Sequence, residues 1–312
     1  MLAILNSDFS WTEIGESLTK INEWSHSGVE ILLDGTVVVS TPGNSSLSFI
    51  ETTGVVRNIP CGSGIYHGIA LDKLKTTPFL WLADIGVEVN EGKILGFDIQ
   101  KSKLTDFSPS IQVLSDVQDW RPTAIACERS INHPNGYAIW VADGYGNSLV
   151  HRLTPKGKSL TIDGTSSGLS FDCPHGIALD NRGSTPYVVV ADRNNKRLVW
   201  FDYSGNFVRQ LKHNLITSPS SIAVYGDLLF VTELFGGLIG IDMSDDVVDI
   251  LHRSKRSREG SWPNSGNPLQ PRRPELLEGK LNSPHGITVS NTGQIIITEW
   301  LIGGRTISLK SH

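Results

Sequence analysis

The sequence predicts an all-β protein, a six-bladed β-propeller with four-stranded blades, and three observations lead to this prediction. A short motif recurs at nearly equal intervals, as "YHGIALD" (Tyr66–Asp72), "PHGIALD" (Pro174–Asp180) and "PHGITVS" (Pro284–Ser290). Each motif begins a hairpin of two alternating strands, and the chain holds six such hairpins. A third strand follows most of them, which gives units of roughly 40 to 60 residues, the period of propeller blades.

Six hairpins follow one another along the chain. They are "HSGVEILLDGTVVVST", "YHGIALDKLKTTPFLWLAD", "RPTAIACERSINHPNGYAIWVAD", "PHGIALDNRGSTPYVVVAD", "PSSIAVYGDLLFVTE" and "PHGITVSNTGQIIITE". Third strands are clearest in "KILGFDI", "SLVHRLT", "RLVWFDY" and "LIGIDM", and "FVRQLK" is typical of a fourth. Helical periodicity is confined to a short stretch near Trp11 to Ile21. We therefore expect one propeller domain over residues 1–312.

The last unit ends at "RTISLKSH", one strand short of a full blade. We expect an N-terminal strand, from "MLAILN" or "SWTEIG", to close this last blade, because a closed arrangement leaves no exposed sheet edge. A basic segment rich in Pro and Ser, at about residues 253–282, interrupts the connection between the fifth and sixth units. We interpret it as a solvated insertion, with a lid or a protein docking loop as the functional alternatives.

Composition narrows the function classes. The formal net charge of −5 argues against a nucleic-acid partner, and no apolar run reaches the length of a membrane span. The first residues, "MLAILNSDFSWTEIGE", lack the basic region and apolar core of a signal peptide, so we expect a cytoplasmic protein.

Histidine occupies every second unit at the position before the Gly-Ile step. That position is, in order, Ser27, His67, Thr123, His175, Ser220 and His285. Alternate blades of a six-bladed propeller are about 120° apart, so His67, His175 and His285 would converge on the axis. Three imidazoles with an open fourth position are typical of catalytic zinc, although imidazole also suits other divalent transition metals. The alternative to a metal site is that the motif is a recurring turn, in which backbone groups hydrogen-bond to the ring nitrogens of the histidines.

The remaining histidines do not fit this alternation, and we expect them to be exposed to solvent. They are His26, His133, His151, His213, His252 and His312. Trp120, Arg121 and Trp300 are expected to face the mouth of the channel.

The same segments resemble the NHL-repeat propellers, and among them the peptidyl-α-hydroxyglycine α-amidating lyase family. The resemblance implies zinc ligation by His67, His175 and His285. "VADGYGNSLVHRLTPKGK" is similar to the family segment whose tyrosine serves as the base, which implies that role for Tyr145. "VADRNNKRL" is similar to the segment whose arginine contacts substrate, which implies that role for Arg193.

The sequence also departs from that family. Gly146 and Val189 replace cysteines, Ser27 replaces a second substrate arginine, and Gly286 replaces an acidic calcium ligand. These changes argue against the family's calcium site and indicate a substrate other than a peptidyl-hydroxyglycine. The predicted function is a metal-dependent lyase that cleaves a C–N bond in a small, carbinolamide-like substrate or peptide terminus.

Two alternatives stay open at this point. One is a lactone hydrolase of gluconolactonase type, although the carboxylate that such enzymes place at this position is Ser27 here, and the nearest carboxylate is Glu30. The other is a non-catalytic propeller that binds a protein partner through its face or through the loop at 253–282.

Overall fold

Short antiparallel strands joined by tight turns make up the secondary structure of the computed structural model. It describes residues 9–15, 23–41, 46–62, 64–75, 77–86, 91–108, 119–251, 263–267 and 269–311. The chain divides into two compact units, with Met1–Ser63 and His213–His312 in unit 1 and Gly64–Lys212 in unit 2.

Unit 2 contains three four-stranded antiparallel sheets, each formed by four strands that are consecutive in the chain. The first is β7 (Tyr66–Leu71), β8 (Phe79–Asp84), β9 (Lys93–Asp98) and β10 (Lys103–Asp106). The second is β11 (Ala124–Arg129), β12 (Ala138–Asp143), β13 (Leu149–Thr154) and β14 (Gly157–Ile162). The third is β15 (Pro174–Asp180), β16 (Tyr187–Asp192), β17 (Arg197–Phe201) and β18 (Phe207–Leu211), and a 3-10 helix at Thr165–Ser167 precedes it.

Unit 1 contains three further sheets of the same kind. One is β3 (Val29–Ile31), β4 (Val37–Thr41), β5 (Ser46–Ile50) and β6 (Val56–Pro60). Another is β19 (Pro219–Tyr225), β20 (Leu228–Glu233), β21 (Gly237–Ile241) and β22 (Val247–Leu251). The last is β23 (Pro284–Val289), β24 (Ile295–Glu299), β26 (Arg305–Ser311) and β1 (Phe9–Glu13), and a small pair of β2 (Trp24–Ser25) with β25 (Leu301–Ile302) lies in the same unit.

The described residues thus form six four-stranded blades, which confirms the all-β fold class and the six-bladed propeller. An N-terminal strand also completes the last blade as predicted. β1 pairs antiparallel with β26, with Trp11 opposite Leu309, and it corresponds to the "SWTEIG" alternative, whereas "MLAILN" lies outside the described residues. The helical prediction near Trp11 is wrong where it can be checked, because residues 9–13 are strand and 16–22 lie outside the described part.

The apolar core lies between the faces of neighbouring blades within each unit. In unit 2, Trp81 and Ile139 belong to one cluster and Trp140 and Val190 to the next. In unit 1, Phe230 packs in a cluster with residues of the last blade. The second strands of the blades, such as β8, β12 and β20, are therefore buried along their whole length and are apolar except near their last residues.

A buried carboxylate at the end of the second strand ties down the segment that enters the first strand of the same blade. Asp84 accepts a hydrogen bond from the Ile65 N–H at 2.9 Å, and Asp192 accepts one from the Asp172 N–H at 2.9 Å. Glu233 and Glu299 act in the same way on Ser218 and Ser283. Three of these charge-assisted bonds fix the segments that precede His67, His175 and His285, and the bond to Glu233 fixes the equivalent segment before Ser220.

The described part of the predicted insertion contacts the last blade. The Asn264 side-chain oxygen accepts a hydrogen bond from the Ile302 N–H at 2.7 Å, and Arg273 donates to the carbonyl oxygens of Ile302 and Gly304 at 3.1 and 2.9 Å. Residues 253–262 and 268 lie outside the described residues. The prediction of a single domain over 1–312 stays a prediction. Among the described residues, no helix has the length and apolar character needed to cross a membrane.

Candidate metal centre

Each predicted histidine ligand is a bulged residue at the start of an inner strand. The pairing register shifts between Tyr66 and Gly68 in β7, and equivalent shifts flank His175 in β15 and His285 in β23. A β-bulge leaves one residue outside the ladder and redirects its side chain, and bulges are common beside active sites. The repeated motif thus encodes the same local distortion three times.

The glycine after the histidine is required by close approach of the neighbouring blade. A Cβ at Gly68 would lie 2.8 Å from the Thr123 carbonyl oxygen and 2.9 Å from the Ala124 Cα. A Cβ at Gly286 would lie 3.0 Å from the Ser27 carbonyl oxygen, in the segment that enters the first strand of the neighbouring blade, and 2.6 Å from the Thr298 hydroxyl oxygen of its own blade. Any side chain at these positions would force backbone apart, so the His-Gly pair combines a redirected imidazole with tight packing between blades.

Unit 2 brings together three of the predicted site residues: His67, His175 and Tyr145. The two imidazole rings are 4.7 Å apart between centroids, with ligand nitrogens within 4.8 Å of each other. The Tyr145 hydroxyl oxygen lies 3.3 Å from His67 Nε2 and 3.0 Å from His175 Nε2. Both Nε2 atoms therefore point at the same small volume, which the phenol oxygen borders.

The contact made by Nδ1 of His67 shows which of its two ring nitrogens carries the proton. Nδ1 lies 2.6 Å from the Thr123 carbonyl oxygen, which can only accept, so Nδ1 carries the proton. Burial lowers the pKa of His67 to about 3, with the Arg193 charge adding to this effect and the Thr123 hydrogen bond opposing it. The ring is neutral at pH 7, and Nε2 presents a lone pair, which is the form that binds a metal ion. A carbonyl holding the remote nitrogen is the usual support for such a ligand.

Arg193 lies next to Tyr145 in unit 2. Burial raises the pKa of Tyr145 above its ordinary value, while the charge of Arg193 and a hydrogen bond from its guanidinium lower it. The Arg193 backbone N–H also donates to the Cys173 carbonyl oxygen at 3.2 Å, which ties this turn to the segment before His175. Because burial is the larger effect, the phenol of this protein is protonated at neutral pH.

In unit 1, His285 lies beside a histidine that sequence analysis missed. The rings of His26 and His285 are 4.5 Å apart, and their ligand nitrogens lie within 4.8 Å of each other. His26 also packs on Trp300, with ring centroids 5.5 Å apart. The sequence does contain a sign of this histidine: His26 lies two residues before Gly28. In the three repeated motifs, the histidine lies one residue before the glycine. The expectation that His26 is exposed is wrong, because it is half-buried here.

The other histidines divide between exposed and buried. His133 and His213 are exposed as predicted, and His252 and His312 lie outside the described residues. The prediction for His151 is wrong: it is 1% exposed, its Nδ1 lies 3.0 Å from the Thr161 hydroxyl, and its ring packs on Trp120. Trp120 is itself buried, so it belongs to the core of unit 2 and not to a mouth.

The contacts at Gly286 and Glu30 bear on whether the protein has a calcium site or a lactonase-type site instead. At Gly286 no side chain fits, so a calcium-binding carboxylate has no place there. Glu30 accepts hydrogen bonds from the Thr288 hydroxyl at 2.5 Å and from the Ile31 N–H at 2.9 Å, which occupies one of its oxygens in joining neighbouring strands. These contacts weaken the case for an oxygen-based calcium or lactonase site at this place.

Comparison with known proteins agrees with the fold and with the predicted resemblance. No family model matches the chain. Peptidylglycine alpha-amidating monooxygenase of Rattus norvegicus is 28% identical over 212 residues, which are 64% of this chain. The chain spans only about a fifth, 19%, of that relative's length. The resemblance to an amidating enzyme is thus confirmed for part of the chain.

Solved structures extend the likeness in fold to nearly the whole chain. Virginiamycin B lyase from Staphylococcus aureus covers 98% of this chain and 100% of its own, with a TM-score of 0.58 and 13% identity. A gluconolactonase from Xanthomonas campestris covers 100% of this chain and 92% of its own, with a TM-score of 0.62 and 14% identity. At these identities the likeness is one of fold.

Proposed function

We propose that the protein is a metal-dependent lyase that cleaves the C–N bond of a small carbinolamide-like substrate. In this proposal His67, His175 and His285 hold one divalent transition metal ion, with zinc as the first candidate. The observation that carries the proposal is the convergence of His67 Nε2 and His175 Nε2 on the Tyr145 hydroxyl, at 3.3 and 3.0 Å.

The donor set fits such an ion. His67 is neutral and has its Nδ1 proton committed to the Thr123 carbonyl, so Nε2 is ready to bind. His175 offers Nε2 beside it, and the bulge that redirects each of these rings recurs at His285. Because alternate blades of a six-bladed propeller are related by about 120°, the third imidazole completes a three-nitrogen site. A metal ion bound there supplies Lewis-acid activation of a substrate oxygen.

Tyr145 and Arg193 supply the remaining chemistry in this proposal. The substrate hydroxyl loses its proton to the Tyr145 oxygen, a C=O bond forms as the C–N bond breaks, and the amide nitrogen takes up that proton from Tyr145, which returns to its starting state. The products are an amide and an aldehyde. Tyr145 must first be ionised, and the charge of Arg193 acts in that direction by lowering its pKa against the effect of burial.

The substrate differs from that of the amidating lyases in one respect. Ser27 stands where that family has a substrate arginine, and it is buried with its hydroxyl 3.0 Å from that of Ser25. A carboxylate would therefore meet a neutral hydroxyl pair at this position instead of a cation. We infer that substrates without a carboxylate, such as carbinolamides with a neutral carbonyl substituent, are accepted as well as those with one.

The test uses the full chain loaded with zinc and the substrate pair N-benzoyl-α-hydroxyglycine and its primary amide. Benzamide release is expected from both. Tyr145→Phe should reduce the rate by at least about 100-fold, the lower range for loss of an acid–base group. Tyr187→Phe, a matched change on β16, should leave the rate unchanged.

Two results would redirect the assignment. Zinc-dependent hydrolysis of δ-gluconolactone, without cleavage of either carbinolamide, would identify a lactonase, the activity named for the Xanthomonas campestris protein of similar fold. Tight zinc binding with neither reaction would identify a non-catalytic propeller that acts through protein contacts.

A further inference from the structure

An aromatic cluster lies beside His285 in unit 1, and the proposed mechanism does not use it. It consists of Trp24, Trp300 and His26. The indole rings of Trp24 and Trp300 are 5.6 Å apart between centroids and 30° from parallel, and the His26 ring lies 5.5 Å from Trp300 at 31°. All three residues are half-buried, so part of this aromatic surface is open to solvent.

The cluster is held rigidly by backbone contacts. Trp24 lies in β2, where it pairs with Ile302 of β25. The Trp300 N–H donates to the Ser283 carbonyl oxygen at 2.9 Å, and the Trp300 carbonyl accepts from the Ser283 hydroxyl at 2.6 Å. Asn264 and Arg273 both bind the backbone of Ile302 in β25. A rigid aromatic surface loses little conformational entropy when it binds a ligand.

The side chains that flank His26 are uncharged, and the charged residue next to Trp24 in the chain is an acid, the half-buried Glu23. Ser25 and Ser27, which flank His26, are buried hydroxyls. Two cations of the same unit already have acceptors: Arg273 donates to the carbonyl oxygens of Ile302 and Gly304, and Arg305 pairs with Glu299 at 2.7 Å. The cluster therefore favours a flat uncharged group over an anionic one.

We propose that Trp24, Trp300 and His26 form an aromatic shelf that binds a flat, uncharged aromatic group of the substrate next to His285. This inference rests on the proposed metal centre and names a substrate class for it. The ring separations lie within the range in which aromatic groups stack, so a further ring can extend the stack. The shelf sets specificity, while the histidines and Tyr145 carry the chemistry.

The test compares two metal-binding probes that differ in one phenyl ring, acetohydroxamate and benzohydroxamate, by calorimetric titration of the zinc-loaded full chain. Stacking on the shelf should make benzohydroxamate bind roughly 2- to 12-fold more tightly than acetohydroxamate, the range for one aromatic pair. Trp300→Leu and Trp24→Leu should each reduce this preference, while acetohydroxamate affinity and zinc content stay unchanged.

Trp11→Leu is the matched control, because Trp11 is a half-buried tryptophan of the same unit that packs near Arg305, at 5.2 Å, and belongs to β1. It should retain the full preference. Equal affinities of the two probes for the wild type, or a preference that survives both shelf substitutions, would overturn the shelf and leave the metal centre standing. If the wild type retains zinc but binds neither probe, the shelf is overturned as part of a substrate site; if it retains no zinc, the metal centre is overturned and the shelf with it.

Discussion

The buried ion pair between Asp192 and Arg197 makes a sharp prediction about what holds the segment before His175. Asp192 is 0% exposed and its Oδ2 accepts from Arg197 Nε at 2.7 Å, while its Oδ1 accepts from the Asp172 N–H at 2.9 Å. Asp192→Asn keeps the shape of the side chain and an oxygen for Asp172. It removes the charge and leaves the Arg197 guanidinium, 1% exposed, without its carboxylate.

The size of the stability loss depends on the hydrogen bonds that Arg197 keeps in the variant. Loss of one member of a buried ion pair usually costs about 3–5 kcal/mol, because the other charge stays buried. Arg197 still donates to Gln210 at 2.9 Å and to the Leu169 carbonyl at 2.7 Å. These two acceptors compensate part of the loss, so we expect a decrease of about 3 kcal/mol in the free energy of unfolding, at the lower end of that range.

Urea unfolding of the full chain, followed by far-ultraviolet circular dichroism, measures this change. Asp202→Asn serves as the control, since Asp202 caps an exposed turn of the same blade through the Ser204 and Asn206 N–H groups and pairs with no arginine among the described residues. The double variant Asp192→Asn/Arg197→Met should recover most of the lost stability. A loss below about 1 kcal/mol, or a double variant no more stable than the single one, would refute this reasoning.

Three further predictions concern other buried contacts. Burial lowers the pKa of His151 from 6.5 to about 4, so the unfolded chain takes up a proton that the folded protein excludes, and stability falls as the pH drops from about 6.5 towards 4. This decrease amounts to about 3 kcal/mol, and His151→Gln, which does not titrate, should show a smaller acid loss in unfolding titrations between pH 7 and 4. Gly68→Ala should lower the free energy of unfolding by about 1–3 kcal/mol, because the new Cβ meets the Thr123 and Ala124 backbone; thermal unfolding at an unchanged transition temperature would disprove the close approach. Thr298→Val removes the 2.8 Å hydrogen bond to the Ser27 carbonyl and should cost about 1 kcal/mol, whereas Thr165→Val, at an exposed turn, should cost less.

The repeat made the fold predictable from sequence. Alternating strands, turn residues and the carboxylate that ends each second strand recur often enough to define six hairpins, and the one missing strand pointed to the N-terminus. The helical pattern near Trp11 misled because a single amphipathic stretch does not reveal a partner strand almost 300 residues away, and the pairing of β1 with β26 decided its conformation.

The candidate site was only partly predictable. The alternation of His67, His175 and His285 is visible in the sequence, whereas Tyr145 and Arg193 came from the resemblance to a family and not from spacing. His26 was missed because it lies one residue outside the repeat register, between β2 and β3. His151 was misjudged because its burial depends on Trp120, which joins it from a different part of the chain.

The measurement that tests the metal centre most directly is elemental analysis of the purified full chain, supplied with zinc and then dialysed, beside His67→Ala, His175→Ala and His285→Ala. We expect about one equivalent of metal in the wild type and its loss in each of the three variants, with unchanged circular dichroism. The exposed His213→Ala variant should retain the metal. Absence of bound metal from the wild type, or its retention in all three histidine variants, would contradict the proposed centre and leave the histidines as part of a recurring strand-entry bulge.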